Sequence, residues 1–502
     1  MTGPLRGLSA IHLDSLKIFE GIDEADFLSR AQTRASANPS ALLLSGGELR
    51  PGGENRYSIS AHDPFVTFRA KGNFSLIKTS GGAYEIHDNP INVLDSLLES
   101  VHPEFGPLPL PFCGGAIGYF AYDLKNSIEN LPASACDDLG LPDLFFFWPG
   151  RFEVYDRKER SLAGILLQSG KTAVEAAAAI GAVCGRVGEE PSSPMPCPPL
   201  ECRRPGALRP GPEAVAEEEE SRPWLEAGSL ESNFSHEEYV AAVSKVRDYI
   251  RRGDVYQVNL SQRFNFPLKG DPYRLWKSLF DINPAPFYAH INAGDHRILS
   301  TSMERFLFRR GAFIETRPIK GTRRRGRTRQ EDEALISDLL QSPKDDAELS
   351  MIVDLLRNDL GRICSPGTVR VAEHKRLETY RNVHHLISIV TGALRPETST
   401  GDIIRATFPG GSVTGCPKIR SMEIIDELES NVRHVYTGAI GYIGWHGNLD
   451  LNVAIRTAIV KDETCYFSVG GGIIYDSIEE DEYQETLHKG QTLFELVEKL
   501  RS

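Results

Sequence analysis

The chain has 502 residues, of which 25% are charged and 40% hydrophobic, and its formal net charge is −13. That composition excludes a fibrous or largely disordered protein, and the acidic balance disfavours binding to nucleic acid. No apolar run reaches the roughly 18–20 residues of a membrane-spanning helix, and the N-terminal segment lacks the apolar stretch of a secretory signal. We therefore expect a cytoplasmic globular protein that binds neither nucleic acid nor membrane.

Composition divides the chain into three parts. Residues 1–187 mix strand-like and helix-like patterns and end in a short helix predicted at 174–187. Residues 188–233 carry many prolines and an acidic run, which cannot bury a core, so they are predicted to form a disordered linker. Residues 234–502 alternate irregularly between helix and strand patterns and form the second folded part.

Two segments near the C-terminus place acidic residues at helical spacing. The first segment holds Asp345 and Glu348, and the second holds Glu482, Glu485 and Lys489. Residues three or four apart share one helix face, and carboxylates from two helices suit a hard cation such as Mg²⁺. Acidic residues at this spacing are also typical of a solvated helix surface, so the spacing alone leaves both interpretations open.

A glycine-rich loop at residues 406–416 precedes a predicted helix that begins near Pro417. A helix N-terminus behind such a loop offers free N–H groups to an anion. Cys416 and Pro417 stand where a nucleotide-binding P-loop has Lys-Ser/Thr, so a carboxylate ligand is favoured over a nucleotide. A plain capping loop is the alternative. The predicted apolar face of the helix consists of Ile419, Met422, Ile425 and Leu428.

Lys320 stands beside Gly321 at the end of a predicted strand, where its amine can reach into a cleft. An arginine run follows at residues 323–329. Such a run is more typical of a solvated loop than of a nucleic-acid site, although its first members can steer an anionic substrate.

These segments occur in an order that resembles the chorismate-utilising enzyme family. The motifs that carry the resemblance are YQVNLSQRF, STSMERFL, RPIKGT, AELSMIVDLLRNDLGRI, VHHLIS, FPGGSVTGCPKIRSMEIID, TGAIGYIGWHGNLDLNVAIRTAIV, VGGGIIYDS and EDEYQETLHK. They cover roughly residues 235–495, and RYSI with GGAIGYFAYDL is similar to the N-terminal domain of the family. The resemblance implies an α+β fold in which two large, mostly antiparallel sheets form a sandwich flanked by helices. It also makes residues 234–502 the chorismate-binding catalytic domain.

The resemblance further implies roles for single residues. Glu348 and Glu485 would bind Mg²⁺ directly, and Glu482 and Asp345 would act through water. The implied catalytic residues are Glu304 as the general acid for the departing 4-hydroxyl, His385 as the family's active-site histidine, and Lys320. The implied substrate-binding residues are Tyr442 and Arg456 at a chorismate carboxylate, Gln257, Thr414, Gly415, Gly470, Gly471, Gly472 and Lys489.

Two positions favour one chemistry within the family. Members that add water resemble one another in having a lysine where this chain has Gln257, and a neutral amide cannot activate water. Members that aminate chorismate at C4 resemble this chain in PIKGT, whereas those that make anthranilate typically have alanine at Lys320. The resemblance therefore predicts 4-amination for folate synthesis, in which the lysine attacks ring C2 as the C4 hydroxyl leaves, and ammonia then adds at C4 and expels the lysine from C2.

Anthranilate formation is the alternative. The sequence LLES at residues 97–100 is similar to a tryptophan-feedback motif, although a structural tryptophan pocket or a helix end explains it equally. The chain has no recognisable glutaminase segment, so a separate glutamine amidotransferase subunit is expected to supply ammonia.

Overall fold

Helices and strands alternate through the part of the chain that the computed structural model describes, residues 10–47, 49, 55–100, 102–103, 105–169 and 225–501. The predicted helix at 174–187 and most of the predicted linker lie outside these residues. The described helices are α1 Glu24–Ala35, α2 Pro90–Ser100, α3 His236–Arg252, α4 Pro272–Ile282, α5 Arg329–Gln341, α6 Pro343–Gly361, α7 Thr400–Thr407, α8 Lys418–Leu428 and α9 Glu479–Arg501.

The strands of the first half are β1 Ala10–Glu20, β2 Ser40–Leu44, β3 Tyr57–Lys71, β4 Phe74–Thr79, β5 Gly82–His87, β6 His102–Pro103, β7 Gly115–Phe120, β8 Leu144–Asp156 and β9 Ser161–Ser169. Those that follow are β10 Leu225–Ala227, β11 Glu231–Ser232, β12 Gln257–Gly270, β13 Phe287–Asn292, β14 Arg297–Ser302, β15 Arg305–Arg310, β16 Phe313–Arg317, β17 Ile319–Arg324, β18 Arg370–Thr379, β19 Val383–Ala393, β20 Gly415–Cys416, β21 Ala439–Gly444, β22 Leu449–Val453, β23 Thr457–Lys461 and β24 Thr464–Ile473.

Strand pairing runs without a break through most of the described strands. The order from one end is β12, β24, β23, β14, β13, β2, β3, β8, β7, β21, β22, β15, β16, β19 and β17, and each of these pairs is antiparallel. This arrangement, with helices joining the strands, confirms the expected α+β fold with large antiparallel sheets. The two ends of the order, β12 with β24 and β17 with β19, meet at the site described below.

The N-terminal and C-terminal parts share their sheets. Strand β2 pairs with β13, and β7 pairs with β21 over six residues from Gly115 to Phe120. The boundary predicted at residue 234 is too late, because β10 and β11 already pair with β12. Leu225 at the start of β10 is buried, so folded structure resumes before the predicted end of the linker.

The core includes strands that are buried on both faces. In β8 the run Leu144–Trp148 is fully buried, which matches its continuous apolar sequence rather than an alternating one. Helix α3 begins and ends where the sequence predicts. Ser235 and Glu238 form a capping box at its start, and Gly253 ends the helix at φ 81°. None of the described helices is long and apolar enough to cross a membrane.

The structure bears on two local interpretations. The LLES segment forms the end of α2, where Leu97 and Ser100 are buried. This packing fits the helix-end interpretation, and a tryptophan site in the N-terminal part stays an expectation. In α8, Ile419 is 48% exposed, whereas Ile424 is buried with Met422 and Ile425, so the apolar face is rotated from the predicted one.

Candidate active site

Lys320 is aimed by a bulge in the pairing of β17 with β19. The register shifts between Lys320 and Thr322, and the intervening Gly321 has φ 78°, a conformation that favours glycine. The Lys320 amine lies 3.3 Å from the point where Gly472 on β24 would carry a Cβ atom. Its charge also acts on the carboxyl groups of Glu304 and Glu348, so Lys320 faces a shared pocket.

Strand β12 carries a row of buried polar side chains toward this pocket. Gln257, Asn259 and Ser261 alternate along one face of the strand, and each is nearly inaccessible. A Cβ at Gly472 would lie 2.1 Å from the Gln257 Nε2 atom, so the amide fills the space that the glycine leaves. The Gln257 Oε1 atom is buried without a hydrogen-bond partner among the described residues. An unpaired buried oxygen of this kind is available to a ligand.

Glu304 is buried between strand β17 and the loop at residues 410–415. The Ser412 hydroxyl donates to its Oε1 atom at 2.5 Å, and the Ile319 N–H also donates to the carboxyl group. Burial raises the pKa of Glu304 to about 7, although the charge of Lys320 opposes the rise. A carboxyl group that keeps its proton near neutral pH suits general-acid catalysis.

His385 on β19 is buried next to Lys320's strand. Its Nδ1 atom lies 2.8 Å from the Thr322 Oγ1 atom, and its Nε2 atom has no hydrogen-bond partner among the described residues. Burial, together with the charge of Arg456, lowers the pKa of His385 to about 4. A neutral imidazole with one free nitrogen therefore faces the pocket.

Arg456 is positioned by a strained backbone. Its φ is 51°, and its carbonyl oxygen accepts hydrogen bonds from the N–H group and the hydroxyl of Thr301 at 2.9 Å and 2.8 Å. Burial lowers the pKa of Arg456, and the phenols of Tyr288 and Tyr436 lie near its charge. The guanidinium forms no ion pair with a described acidic residue. It is thus free for a ligand carboxylate, which it can bind in a bidentate manner.

Tyr436, and not Tyr442, accompanies Arg456. Tyr442 lies in the middle of β21, stacks edge-on against Phe112 with ring centroids 5.3 Å apart, and lines a separate cavity of about 750 Å³. Burial raises its pKa, and the nearest charged groups are Asp450 and Arg305 rather than Arg456. Tyr436 precedes the strand, and burial raises its pKa to about 12 beside Arg456. The proposed role of Tyr442 at the carboxylate is therefore wrong.

The glycine-rich loop docks directly on β12. The Thr414 carbonyl accepts from the Asn259 N–H at 2.8 Å, and the buried Thr414 hydroxyl donates to the Gly410 carbonyl at 3.1 Å. Gly415 has φ 144°, and a Cβ there would lie 2.2 Å from the Gln257 carbonyl oxygen. Only glycine fits this contact, so the loop closes one wall of the pocket.

Two carboxyl groups of α9 flank the glycines of β24. A Cβ at Gly471 would lie 3.1 Å from an oxygen of Glu482 and 3.6 Å from one of Glu485. Ser477 donates to Glu482 Oε1 at 2.6 Å, and Glu482 Oε2 is buried without a partner among the described residues. Lys489 lies 2.6 Å from Glu485 and donates to the Gly470 carbonyl at 2.8 Å. The charge of Lys489 lowers the pKa of Glu485.

Glu348 on α6 faces the same region. Burial raises its pKa, and the negative charges of Asp345 and Glu485 raise it further. Because the charge of Glu485 reaches Glu348, α6 and α9 carry these carboxyl groups near one another. Asp345 is instead held by Arg323, whose Nη2 atom lies 3.1 Å away.

The acidic residues of α6 and α9 differ in how well they suit a metal ion. In the described ranges no group of three or more His, Cys, Asp or Glu side chains is already close enough to hold an ion. The unpartnered Glu482 oxygen and the charge of Glu485, which raises the pKa of Glu348, nevertheless suit a hard cation that takes oxygen ligands. Asp345 and Glu485 are each paired with a cation, Asp345 with Arg323 and Glu485 with Lys489.

The arginine run after Lys320 is neutralised rather than free. Its members pair with acidic side chains of α5 and α6: Arg323 with Asp338 and Asp345, Arg324 with Glu331, and Arg325 with Asp332. These arginines therefore hold the β17–α5 connection in place and do not form an open basic patch.

Sequence reasoning missed Tyr436, Ser412 and Asn259. A signal for Asn259 was present, because polar residues at alternate positions of an otherwise apolar strand indicate a lined pocket. Ser412 lies inside the glycine-rich loop, and its partner Glu304 is 108 residues away in the sequence. Nothing local in the sequence indicates that contact.

A lysine, a buried glutamate with a raised pKa, a buried arginine without an acidic partner among the described residues and a group of carboxylates suit an enzyme that acts on a carboxylate-bearing substrate. The chain belongs to the chorismate binding enzyme family, whose family model matches residues 52–495. It is 36% identical over 463 residues to aminodeoxychorismate synthase component 1 of Bacillus subtilis, covering 92% of this chain and 93% of that one.

Relatives that carry the name anthranilate synthase are as similar to this chain as those named aminodeoxychorismate synthase. Anthranilate synthase component 1 of Acetivibrio thermocellus is 36% identical over 450 residues, with 89% of this chain and 88% of that one covered. The crystal structure of anthranilate synthase component I from Streptococcus pneumoniae superposes with a TM-score of 0.71 at 31% identity, covering 89% of this chain and 93% of that one. The chain is therefore an enzyme acting on chorismate, and overall identity does not choose between the two activities.

Proposed function

We propose that the chain is an aminodeoxychorismate synthase component I, which converts chorismate and ammonia into 4-amino-4-deoxychorismate for folate synthesis. The observation that carries the proposal is the position of the Lys320 amine, beside Gly472 and within the field of Glu304 and Glu348. A lysine in this position supplies a nucleophile that a C2-aminating enzyme does not need. Anthranilate synthase is the second candidate, because relatives with that name are equally similar.

The pocket supports two successive displacements. Arg456 and Tyr436 hold one carboxylate of chorismate, and the nitrogen lone pair of Lys320 forms a bond to ring C2 as the C4–O bond breaks. Glu304 gives its proton to the departing oxygen, so that water leaves. Ammonia then bonds to C4, the C2–N bond to Lys320 breaks, and the new ammonium returns one proton to Glu304. Chorismate and ammonia thus give the 4-amino product and water.

Glu348, Glu482 and Glu485 are the residues that would hold Mg²⁺. The ion, when bound, supplies positive charge for the ring carboxylate of the substrate. In the described structure Lys489 lies against Glu485, so this lysine balances the carboxylate charge of α9. The proposal gives Asp345 no direct contact with the ion, in line with the water-mediated role expected from the sequence, and Arg323 pairs with it.

Ammonia is proposed to come from a separate glutamine amidotransferase subunit. The chain shows no glutaminase motif, and both kinds of relative carry the designation component 1. Ammonium salts should replace the partner in vitro, since ammonia is nucleophilic without activation.

The proposal is tested by incubating the purified chain with chorismate, Mg²⁺ and ammonium and identifying products by mass spectrometry. We expect 4-amino-4-deoxychorismate, which gives p-aminobenzoate only after an aminodeoxychorismate lyase is added. Fluorescent anthranilate formed without the lyase would instead establish the second candidate. Unchanged chorismate at saturating Mg²⁺ and ammonium would show that the chain is a non-catalytic subunit.

A further inference from the structure

Arg433 lies behind the substrate pocket and is buried, with 2% of its side chain exposed. It follows α8 and precedes the turn that carries Tyr436. No role for it follows from the resemblance or from the mechanism above. A buried guanidinium is retained only where its hydrogen bonds are satisfied, so the partners of Arg433 show what it holds together.

All five N–H groups of the Arg433 guanidinium are used within the protein. Nε and Nη2 donate to the Glu429 carboxylate at 2.8 Å and 2.6 Å. Nη1 donates to the Val413 carbonyl at 3.0 Å and to the Thr437 hydroxyl at 3.3 Å, and Nη2 donates to the Asn259 carbonyl at 2.5 Å. No donor is left for substrate, so Arg433 cannot act as a substrate ligand.

The groups that Arg433 binds are the walls of the pocket. Val413 belongs to the loop that presents Ser412 to Glu304, and Asn259 lies between Gln257 and Ser261 on β12. The guanidinium also lies 5.8 Å from the ring of Tyr436. Its partner Glu429 accepts from the N–H and hydroxyl of Ser261, both at 2.8 Å.

Ser261 in turn pairs in register with Gly470 on β24. One buried ion pair therefore connects the glycine-rich loop, β12, β24 and the tyrosine beside Arg456. These elements come from distant parts of the sequence, and their spacing defines the width of the pocket.

We propose that the Arg433–Glu429 pair is a positioning device that sets the chorismate-binding geometry, an inference that rests on the proposed function. Lys in place of Arg433 keeps the charge but cannot span Val413, Asn259 and Glu429 at once, because an ammonium lacks the planar fork. The pocket walls then separate, and substrate binding weakens while the reacting groups remain.

The test compares Arg433→Lys with Arg56→Lys. Arg56 forms a second bidentate pair, with Asp156 at 2.6 Å, and lies over the ring of Tyr57 at 5.0 Å, outside the proposed site. Chorismate binding is measured by isothermal titration calorimetry with Mg²⁺ and without ammonium, and steady-state kinetics with ammonium give KM and kcat.

For Arg433→Lys we expect chorismate Kd and KM to rise about tenfold or more, with kcat within about threefold, as the loss of hydrogen bonds to a charged group implies. Arg56→Lys should lower Tm without changing either constant by more than about twofold. If Arg433→Lys does not fold, Glu429→Gln decides, with an expected rise in Kd of at least about threefold.

The outcomes separate the two proposals. If the wild-type chain binds chorismate and folded Arg433→Lys binds it with an unchanged Kd, the positioning role alone is overturned. The same conclusion follows if Arg56→Lys loses as much chorismate binding as Arg433→Lys. A wild-type chain that binds no chorismate overturns the proposed function and the positioning role with it.

Discussion

The amine of Lys320 lies 3.3 Å from the position at which Gly472 would carry a Cβ atom, although the two residues belong to strands at opposite ends of the pairing order. The strands at the two ends of the pairing order therefore line the same pocket. Gly472 leaves room there for both Lys320 and the amide of Gln257, which a Cβ would approach to 2.1 Å.

Replacing Gly472 with alanine should displace Gln257 and Lys320 together. We expect turnover of chorismate to fall about a hundredfold, because small misplacements of reacting groups have effects of this size. Gly164→Ala is the matched control, since a Cβ at this strand glycine would meet no atom closer than 3.9 Å. Equal activity of the two variants would show that the space at Gly472 is not used.

The pH dependence should reflect Glu304. Burial raises its pKa from 4.5 to about 7, and a general acid must be protonated, so kcat/KM should fall above about pH 7. Ser412→Ala removes a hydrogen bond that lowers this pKa, so the alkaline limb should move to higher pH. Kinetics across pH 5–9 check both statements, and an unmoved limb in Ser412→Ala would assign it to another group.

The same shift has a defined effect on stability. Between pH 4.5 and about 7 the folded chain keeps a proton on Glu304 that the unfolded chain has lost, so the free energy of unfolding decreases as pH rises through this window. Glu304→Gln removes the titrating group and should flatten that part of the dependence. Denaturant unfolding at several pH values measures it.

Tyr436 and Tyr442 should behave differently. Tyr436→Phe removes a hydroxyl beside Arg456 and should raise the chorismate KM about tenfold, the scale of a lost hydrogen bond to a charged group. Tyr442→Phe alters only the separate cavity, and its KM should stay within about twofold of the wild type. The reverse result would restore the interpretation drawn from the sequence.

Dependence on Mg²⁺ should distinguish the acidic residues. Glu485→Gln should raise the Mg²⁺ concentration for half-maximal activity about tenfold or more, as expected for a ligand. Asp345→Asn should change it by less than about threefold, because Arg323 already engages Asp345. Glu498→Gln, an exposed glutamate on the same helix α9, serves as the control, and activity that survives a metal chelator would argue against any metal requirement.

Local patterns predicted much of this molecule, and contacts across the sequence explain what they missed. Capping and glycine signals placed α3, and helical spacing put Glu485 beside Lys489. The choice between Tyr436 and Tyr442 depended on which ring lies near Arg456. Tyr442 is fixed in β21, which pairs with β7 more than three hundred residues earlier in the chain. Residue spacing alone carries no information about such a partner.

Asp345 illustrates the same limit. Its spacing to Glu348 predicted a shared role at a metal, and the two do share a helix. The side chain of Asp345 is nevertheless drawn to Arg323 on β17. Spacing defines a helix face, whereas the strand packed against that face decides which carboxylates remain free.

The most direct test of the account is Lys320→Ala, assayed with chorismate, Mg²⁺ and ammonium and read by mass spectrometry, with the exposed Lys245→Ala as the control. The account predicts that 4-amino-4-deoxychorismate disappears in Lys320→Ala while chorismate still binds, and that Lys245→Ala matches the wild type. Formation of the 4-amino product by Lys320→Ala at the wild-type rate would contradict it.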